Sequence, residues 1–448
     1  MVAIVEYDTI VKYQVTAICK EPLHIGSAVG DGSEVLVHPV DEMPFVQASS
    51  IAGTFRSYYL KAYGEEETNE LFGSPEIKEN GLSAGSKICF TDASFLQNQG
   101  VQLELRPRVK IDAETGTAAE GSKFNIEYIG AGNKIQFSVY LYGTGYEEKV
   151  EDVFAAMDSQ VIQLGGQKSN GCGHLQIEKL LYRSFDMKNE KDRMLWFREE
   201  ELEEKEYEDR KATLQQNAKF QNAYEITVTG KTEGELLVKS IVVTDYSDKL
   251  PDCMNMKNAK EEYIVPGSSF KGTIRSQMEK IAKYIDVSDI IDSTFGVPEQ
   301  RGKKGSIGNI CFFDTVVGDK EKNKNMPNSY RIHIDKFTGG VIQQGLFSEK
   351  NVAGQVNFHI SIQNRNHPER TCGLLLMALR DLAIGIVNVG SGYNVGKGII
   401  KVEQIHLEKN GEEGAAADIF FKNEEGIQDP QNLIEECLQS ISPANKCQ

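Results

Sequence analysis

One short stretch occurs twice in this 448-residue chain, and a repeat constrains a fold more than any composition does. SSIAGTFRS (49–57) answers SSFKGTIRS (268–276), 219 residues later. KICFTDA (87–93) answers NICFFDT (309–315) at a spacing of 222, and RVKIDAETG (108–116) answers RIHIDKFTG (331–339) at 223. GGQKSNGCGHLQI (165–177) answers GSGYNVGKGIIKV (390–402) at 225. Four blocks in one order at a nearly constant spacing mark a tandem duplication, so the chain holds two copies of one fold.

Each copy opens on a β-like run, YQVTAICKEPLHIG or YEITVTGKTEGELLVKS, followed by a loop rich in glycine and acids and then the Ser-Ser turn. After the turn, Phe270, Ile274, Met278 and Ile281, like Ile51, Phe55, Tyr58 and Tyr59, recur at steps that predict a helix, with Ser268 and Ser50 at the N-cap. Short β-like runs, a second helix and a glycine-rich loop into a last strand complete the copy. The order β, α, β, β, α, β predicts an α+β chain of two tandem ferredoxin-like domains. The expected boundaries are 1–185 and 222–408, joined by a charged helical linker at 186–221 and followed by a loosely attached acidic tail at 409–448. Insertions near 95–125 and 316–350 are too long for plain hairpin loops and are candidate functional segments.

A formal net charge of −17 argues against indiscriminate binding to nucleic acid. The excess is uneven, however. Residues 186–220 hold eleven acids against eight bases, and 408–448 hold nine against three, which leaves room for a local basic groove in either copy. The linker has no Gly or Pro up to residue 217, so it reads as a solvated connecting helix; the patch Met194, Leu195, Trp196 and Phe197 is the argument for a partner-docking one. Eight scattered cysteines form no metal-ligand spacing and predict reduced thiols. The opening residues lack a basic leader before an apolar run, and no apolar run approaches membrane length, so the expected location is cytoplasmic with no membrane partner.

The Ser-Ser turn is the first candidate site. A helix opening there gathers unpaired N–H groups and the positive end of a dipole, and Lys271 and Arg275 add two cations one helical turn apart. This suits RNA phosphates; simple capping, with Gly272 for close packing, is the alternative. The glycine-rich loops are the second, since glycine lets backbone approach a ligand and each loop carries a lysine, Lys168 or Lys397. They lack the GxxxxGK[ST] pattern, and a tight turn into a strand explains them equally well. IDKFTGG reads on its own as a turn in which Asp335 bonds its own backbone.

The order Ser-Ser-x-x-Gly-x-x-Arg, then ID..TG, then a terminal glycine-rich loop resembles the repeat-associated mysterious protein (RAMP) superfamily, specifically the backbone subunits of type III CRISPR effector complexes. The likeness spans roughly 10–183 and 222–408. It implies two fused subunits of RNA-recognition-motif-like fold that bind CRISPR guide RNA beside complementary target RNA and other effector subunits. It also implies that a thumb from each long insertion interrupts the guide–target duplex. RNA contacts would then come from Ser268, Ser269, Lys271, Arg275, Arg331, Lys336, Gly390, Gly392, Gly396, Lys397 and Gly398. Weaker counterparts would be Ser49, Ser50, Arg56, Arg106, Arg108, Gly165, Gly166, Lys168, Gly171 and Gly173. Members that cut target RNA carry an aspartate between the first strand and the Ser-Ser turn, working with magnesium or another divalent cation. Asp252 best matches that catalytic and metal-binding place, with Asp248 and Asp245 as fallbacks.

The first copy departs from the pattern. Its expected aspartate position falls on Leu36 or Val37, with Asp31 out of register, and the counterpart of Lys271 is Ala52. An apolar side chain neither accepts a proton nor binds a metal, so this copy is expected to be catalytically silent. Two further readings stand beside the cutting one: a non-catalytic RNA-binding scaffold, and a guide-processing endoribonuclease. The last would draw on His24 or His38, but neither has a partner histidine or tyrosine in register, and both read as solvated or capping groups.

Overall fold

The computed structural model describes residues 7–27, 32–74, 85–96, 100–112, 117–198, 202–216, 222–240, 250–298, 305–411, 415–421 and 426–442. The chain forms two compact units. One comprises Met1–Leu103, Glu127–Lys168 and Cys172–Gln221; the other comprises Glu104–Ile126, Ser169–Gly171 and Asn222–Gln448. Two pieces of the first sequence copy, the insertion and the tip of its glycine loop, therefore belong to the second unit.

In the first unit the strand Thr9–Cys19 lies between Lys134–Tyr142 and Leu175–Asp186, antiparallel to both. Ile88–Phe90 and Ala93–Phe95 fill the outer edge of Lys134–Tyr142. Alternation of the central strand sends Val11, Tyr13, Val15 and Ala17 to one face, where they meet Ile51 and Phe55 of the helix Ala48–Tyr63 and Val150, Val153 and Phe154 of the helix Glu147–Asp158. The second unit repeats this order. Asn222–Glu233 lies between Gln355–Gln363 and Ile399–Lys409, with Ile310–Phe312 at the outer edge. The helices Gly267–Tyr284 and Pro368–Ala383 supply Phe270, Ile274, Met278, Leu375 and Leu379 to its core. Even the β-bulge is duplicated: register shifts at Thr16/Ala17 and again at Thr229/Gly230.

Linker and tail differ from the sequence expectation. Among the described residues the linker's one α-helix is short, Glu190–Phe197, and packs onto the first unit: Trp196 meets Phe185 and Tyr140, which lies on the sheet face opposite Val139 and Leu141. Glu208–Asp209 then pairs with the sheet edge, and Arg210 bonds Glu151 at 2.6 Å. An aromatic patch costs less free energy against a sheet than in water. The tail is not loosely attached either. Ala416–Phe420 and Ile427–Gln428 extend the second sheet, and the helix Leu433–Ser440 buries Leu433, Ile434 and Cys437 in its core. Gly373 permits that contact, since a Cβ there would lie 2.1 Å from the Cys437 carbonyl oxygen.

The insertion at 316–350 forms a long hairpin. Ser329–Ile334 pairs with Val341–Lys350, and Cys253–Met254 adds a third strand parallel to the latter. Its turn is closed by Asp335, whose Oδ1 accepts from Phe337 N at 2.9 Å, Thr338 N at 2.7 Å and Thr338 Oγ1 at 3.0 Å. Those bonds hold the Asp335 carboxyl below the usual range. Tyr330, Ile332, Ile334, Leu346 and Phe347 stay exposed along the hairpin, and Phe337 at its tip is 98% exposed.

Candidate nucleic-acid interface

The Ser-Ser helices begin one residue before their serine pairs, at Ala48 and Gly267. Gln47 and Pro266 take the cap position and neither supplies a side-chain cap. Ser50 and Ser268 are thus inside the first turn rather than at the N-cap. The missing acceptor comes from the other repeated motif: Asp92 Oδ1 accepts from Ala48 N at 2.7 Å, and Asp314 Oδ1 from Gly267 N at 2.8 Å. The aspartate of each FxD motif therefore occupies part of the anion site that its Ser-Ser turn creates. Gly267 is required for the fit, because a Cβ would lie 2.2 Å from the Phe312 carbonyl oxygen.

In the second unit this cap is braced further. Asp314 Oδ2 pairs with Arg106 at 2.7 Å, and Arg106 also pairs with Glu104 at 2.5 Å. Arg106 is 3% exposed, so its guanidinium is spent inside the protein and does not reach an external phosphate as the sequence suggested. Lys271 is likewise partly buried, with Nζ donating to Ser169 Oγ at 2.6 Å. Burial pushes its ammonium down to about 8, and repulsion from Arg275 and Arg108 adds to this. Arg275 remains half-exposed, bonded to Glu279 at 2.7 Å above the Phe295 ring. Arg56 has a structural tie, to Gly73 O and Asn69 Oδ1.

The glycine loops follow one plan. A Cβ on Gly165 would meet His24 O at 2.4 Å and one on Gly390 would meet Leu237 O at 2.6 Å. Gly173 and Gly398 would each strike a carbonyl, of Leu164 and Val389, at 2.0 Å, and all four have positive φ. Close backbone packing thus accounts for these four. Gly171 packs against Phe312 O, whereas its counterpart Gly396 faces open space. Lys168 is exposed, but Lys397 is 7% exposed and turned inward: Nζ donates to Glu349 Oε2 at 2.7 Å and Asn351 Oδ1 at 2.8 Å, with Glu235 at 3.2 Å. Its charge serves the protein, contrary to the phosphate role read from sequence. Arg331 reaches the same Glu349 oxygen from the hairpin at 2.5 Å, while Lys336 stands exposed at the hairpin turn.

Asp252 is fastened to the hairpin. Its Oδ2 accepts from Ser348 N at 2.7 Å and Ser348 Oγ at 2.8 Å, and its own N donates back to Ser348 Oγ at 3.0 Å. These bonds lower its pKa below the usual range, so the exposed carboxylate is ionised at neutral pH. Asp245 and Asp248 lie outside the described residues. Among the described residues no three His, Cys, Asp or Glu side chains form a metal cluster. Asp252 is the one proposed metal-binding residue among the described ones, and its exposed carboxylate is an oxygen ligand of the kind magnesium takes.

Bridges Gly26–Val35 and Lys239–Asn255 make Val35 and Asn255 equivalent, which sets Gly32, rather than Leu36 or Val37, opposite Asp252. His24 is buried with Nδ1 2.9 Å from Glu127 O, so it is a structural group rather than a solvated one. His38 is partly exposed beside Asp41. Sequence reasoning missed Asp92 and Asp314, although both sit in a motif present in each copy.

The model of the RAMP superfamily matches twice, over residues 16–176 and 236–401. The chain belongs to the RAMP superfamily. This RAMP protein is 30% identical over 88 residues to the CRISPR system CMR subunit Cmr6 of Saccharolobus solfataricus, covering 19% of this chain and 28% of that protein. It thus spans less than a third of that relative's length. A chain in the cryo-EM structure of the Type III-B Cmr-beta bound to cognate target RNA matches with 19% identity and a TM-score of 0.32, covering 39% of this RAMP protein and 61% of that chain. Among the described residues of this RAMP protein, no helix is long and apolar enough to cross a membrane.

Proposed function

We propose that this chain is a double backbone subunit of a type III-like CRISPR effector complex, cytoplasmic, holding guide RNA across two ferredoxin-like domains. The two RAMP matches, one per sequence copy, carry the reading. The strand order shared by both sheets and the relative named Cmr6 support it. The exposed apolar hairpin at 329–350 suits a thumb that inserts between stacked bases, and Phe337 at its tip is the residue best placed to do so. Arg275, Arg331, Lys336, Lys168 and Ser49 would supply the RNA contacts, since each reaches the surface. Expression with its neighbouring genes and a CRISPR array, followed by sequencing of the bound RNA, tests this: repeat-bounded RNA of uniform length is expected, and RNA-free protein in a folded, assembled complex overturns it.

Target cleavage at Asp252 is the finer proposal. The ribose 2′-oxygen bonds the adjacent phosphorus in line as the bond from phosphorus to the 5′-oxygen breaks, leaving a 2′,3′-cyclic phosphate; the 2′-proton passes to water, and water returns one to the departing 5′-oxygen. Asp252, kept anionic by Ser348, would orient that hydroxyl or hold a divalent cation. When bound, such a cation would stabilise charge on the phosphate. Asp252→Ala is expected to abolish metal-dependent cutting in the assembled complex while guide binding survives. Unchanged cutting assigns catalysis to a partner subunit and favours the scaffold reading; metal-independent cutting of repeat RNA by the isolated protein favours guide processing.

A further inference from the structure

We propose that Tyr393 is a nucleobase-stacking platform, so that the glycine loop of the second copy binds single-stranded RNA through a base while the first copy's loop presents a cation at the equivalent place. This rests on the RNA-binding reading above. The spacing of 225 residues that relates the loops sets Tyr393 opposite Lys168. With Lys397 turned inward, the loop offers no ammonium to a phosphate; Tyr393, 64% exposed, Asn394 and Val395 are the side chains it presents.

The platform is rigid. Tyr393–Val395 is a single 3-10 turn closed by Val395 N to Gly392 O at 3.0 Å and Gly396 N to Tyr393 O at 3.2 Å. Ser391 is bonded to Leu237 O through both N and Oγ, Asn388 Nδ2 holds Lys397 O at 2.9 Å, and the Lys397 stem packs under Gly392. A backbone held this way leaves only the two side-chain torsions of Tyr393 to be ordered on binding. Open space at Gly396 leaves room beside the turn for a flat ligand, whereas the same glycine in the first copy, Gly171, is packed against Phe312. An exposed ring on a fixed loop, flanked by side-chain-free backbone, fits a π-face better than a phosphate.

Titration of a single-stranded RNA carrying 2-aminopurine into the full-length protein reads stacking as quenching and affinity as a function of salt. Tyr393→Ala is expected to lose about 10-fold in affinity and most of the quenching, with the salt slope unchanged, while Tyr393→Trp retains both. Lys168→Ala is expected to flatten the slope by about 0.7. Wild-type affinity and quenching in Tyr393→Ala would overturn the stacking role alone. So would loss of affinity in Tyr393→Trp equal to that in Tyr393→Ala, which would mark a packing or subunit-contact residue. RNA that does not bind the wild-type protein at all would overturn the RNA-binding reading with it.

Discussion

Asp314→Ala is expected to destabilise the second unit by about 3–4 kcal/mol, and Asp92→Ala, its counterpart, to cost only about 1 kcal/mol. Both substitutions remove the acceptor for the first N–H of a Ser-Ser helix, and a lost cap is worth about 1 kcal/mol. Asp314 has a second duty that exposed Asp92 lacks among the described residues: its other oxygen neutralises Arg106, whose guanidinium is buried. Taking one partner from a buried pair leaves a charge in a low dielectric, which costs about 3–5 kcal/mol. Glu104 still faces Arg106, so the lower part of that range applies. Thermal melting distinguishes the two, with a drop on the order of 10 °C for Asp314→Ala. Arg106→Met together with Glu104→Gln in the Asp314→Ala background should recover part of the loss, because no charge is then left buried without its partners. Equal melting of the two alanine variants would show that the Arg106 pairing contributes nothing.

This cap also explains which parts of the molecule the sequence made legible. Duplication, strand and helix order, and the hairpin turn at Asp335 are local or repeated signals, carried by period, spacing and turn chemistry. The helix caps are not local. Asp92 lies 44 residues from Ala48, and Asp314 lies 47 from Gly267, so a reading that searched the helix ends alone settled on serines. Repetition of the FxD motif was the available clue. The same limit governs charge. A lysine among glycines reads as a phosphate ligand, and only the fold brings Glu349, 48 residues away, onto Lys397. Lys271 was legible as a helix-face cation, yet Ser169, whose Oγ accepts its hydrogen bond, comes from the other sequence copy. The linker and tail were misread because charge density describes the outward surface of a segment, whereas a few residues, Trp196, Leu433 and Cys437, decide where it docks.

Lys397→Met is the second large effect expected, about 3 kcal/mol or more, and its pH dependence identifies the cause. Lys397 joins three parts of the second unit: the glycine loop that carries it, Glu349 and Asn351 at the end of the hairpin, and Glu235 after the first strand. Without the ammonium, Glu349 keeps only Arg331 and sits in a site built for two cations. Burial by itself pushes the Glu349 carboxyl up, but hydrogen bonds from Lys397 and Arg331 outweigh it and hold the group below the ordinary carboxylate range. A carboxyl depressed in the folded state contributes its full stability above its unfolded pKa of about 4.3, and loses it as pH falls through the folded value. The gap between wild type and Lys397→Met should therefore be widest near neutrality and narrow as pH falls below about 4.3 toward the lower folded value, through which wild-type Glu349 takes up its proton. Glu349→Leu combined with Lys397→Met should restore part of the loss, since a buried pair replaced by apolar groups costs less than one charge left alone. A gap that stays constant from pH 7 to pH 3 would mean that the lysine acts through the packing of its stem beneath Gly392, and that the hairpin and the loop are not joined by charge.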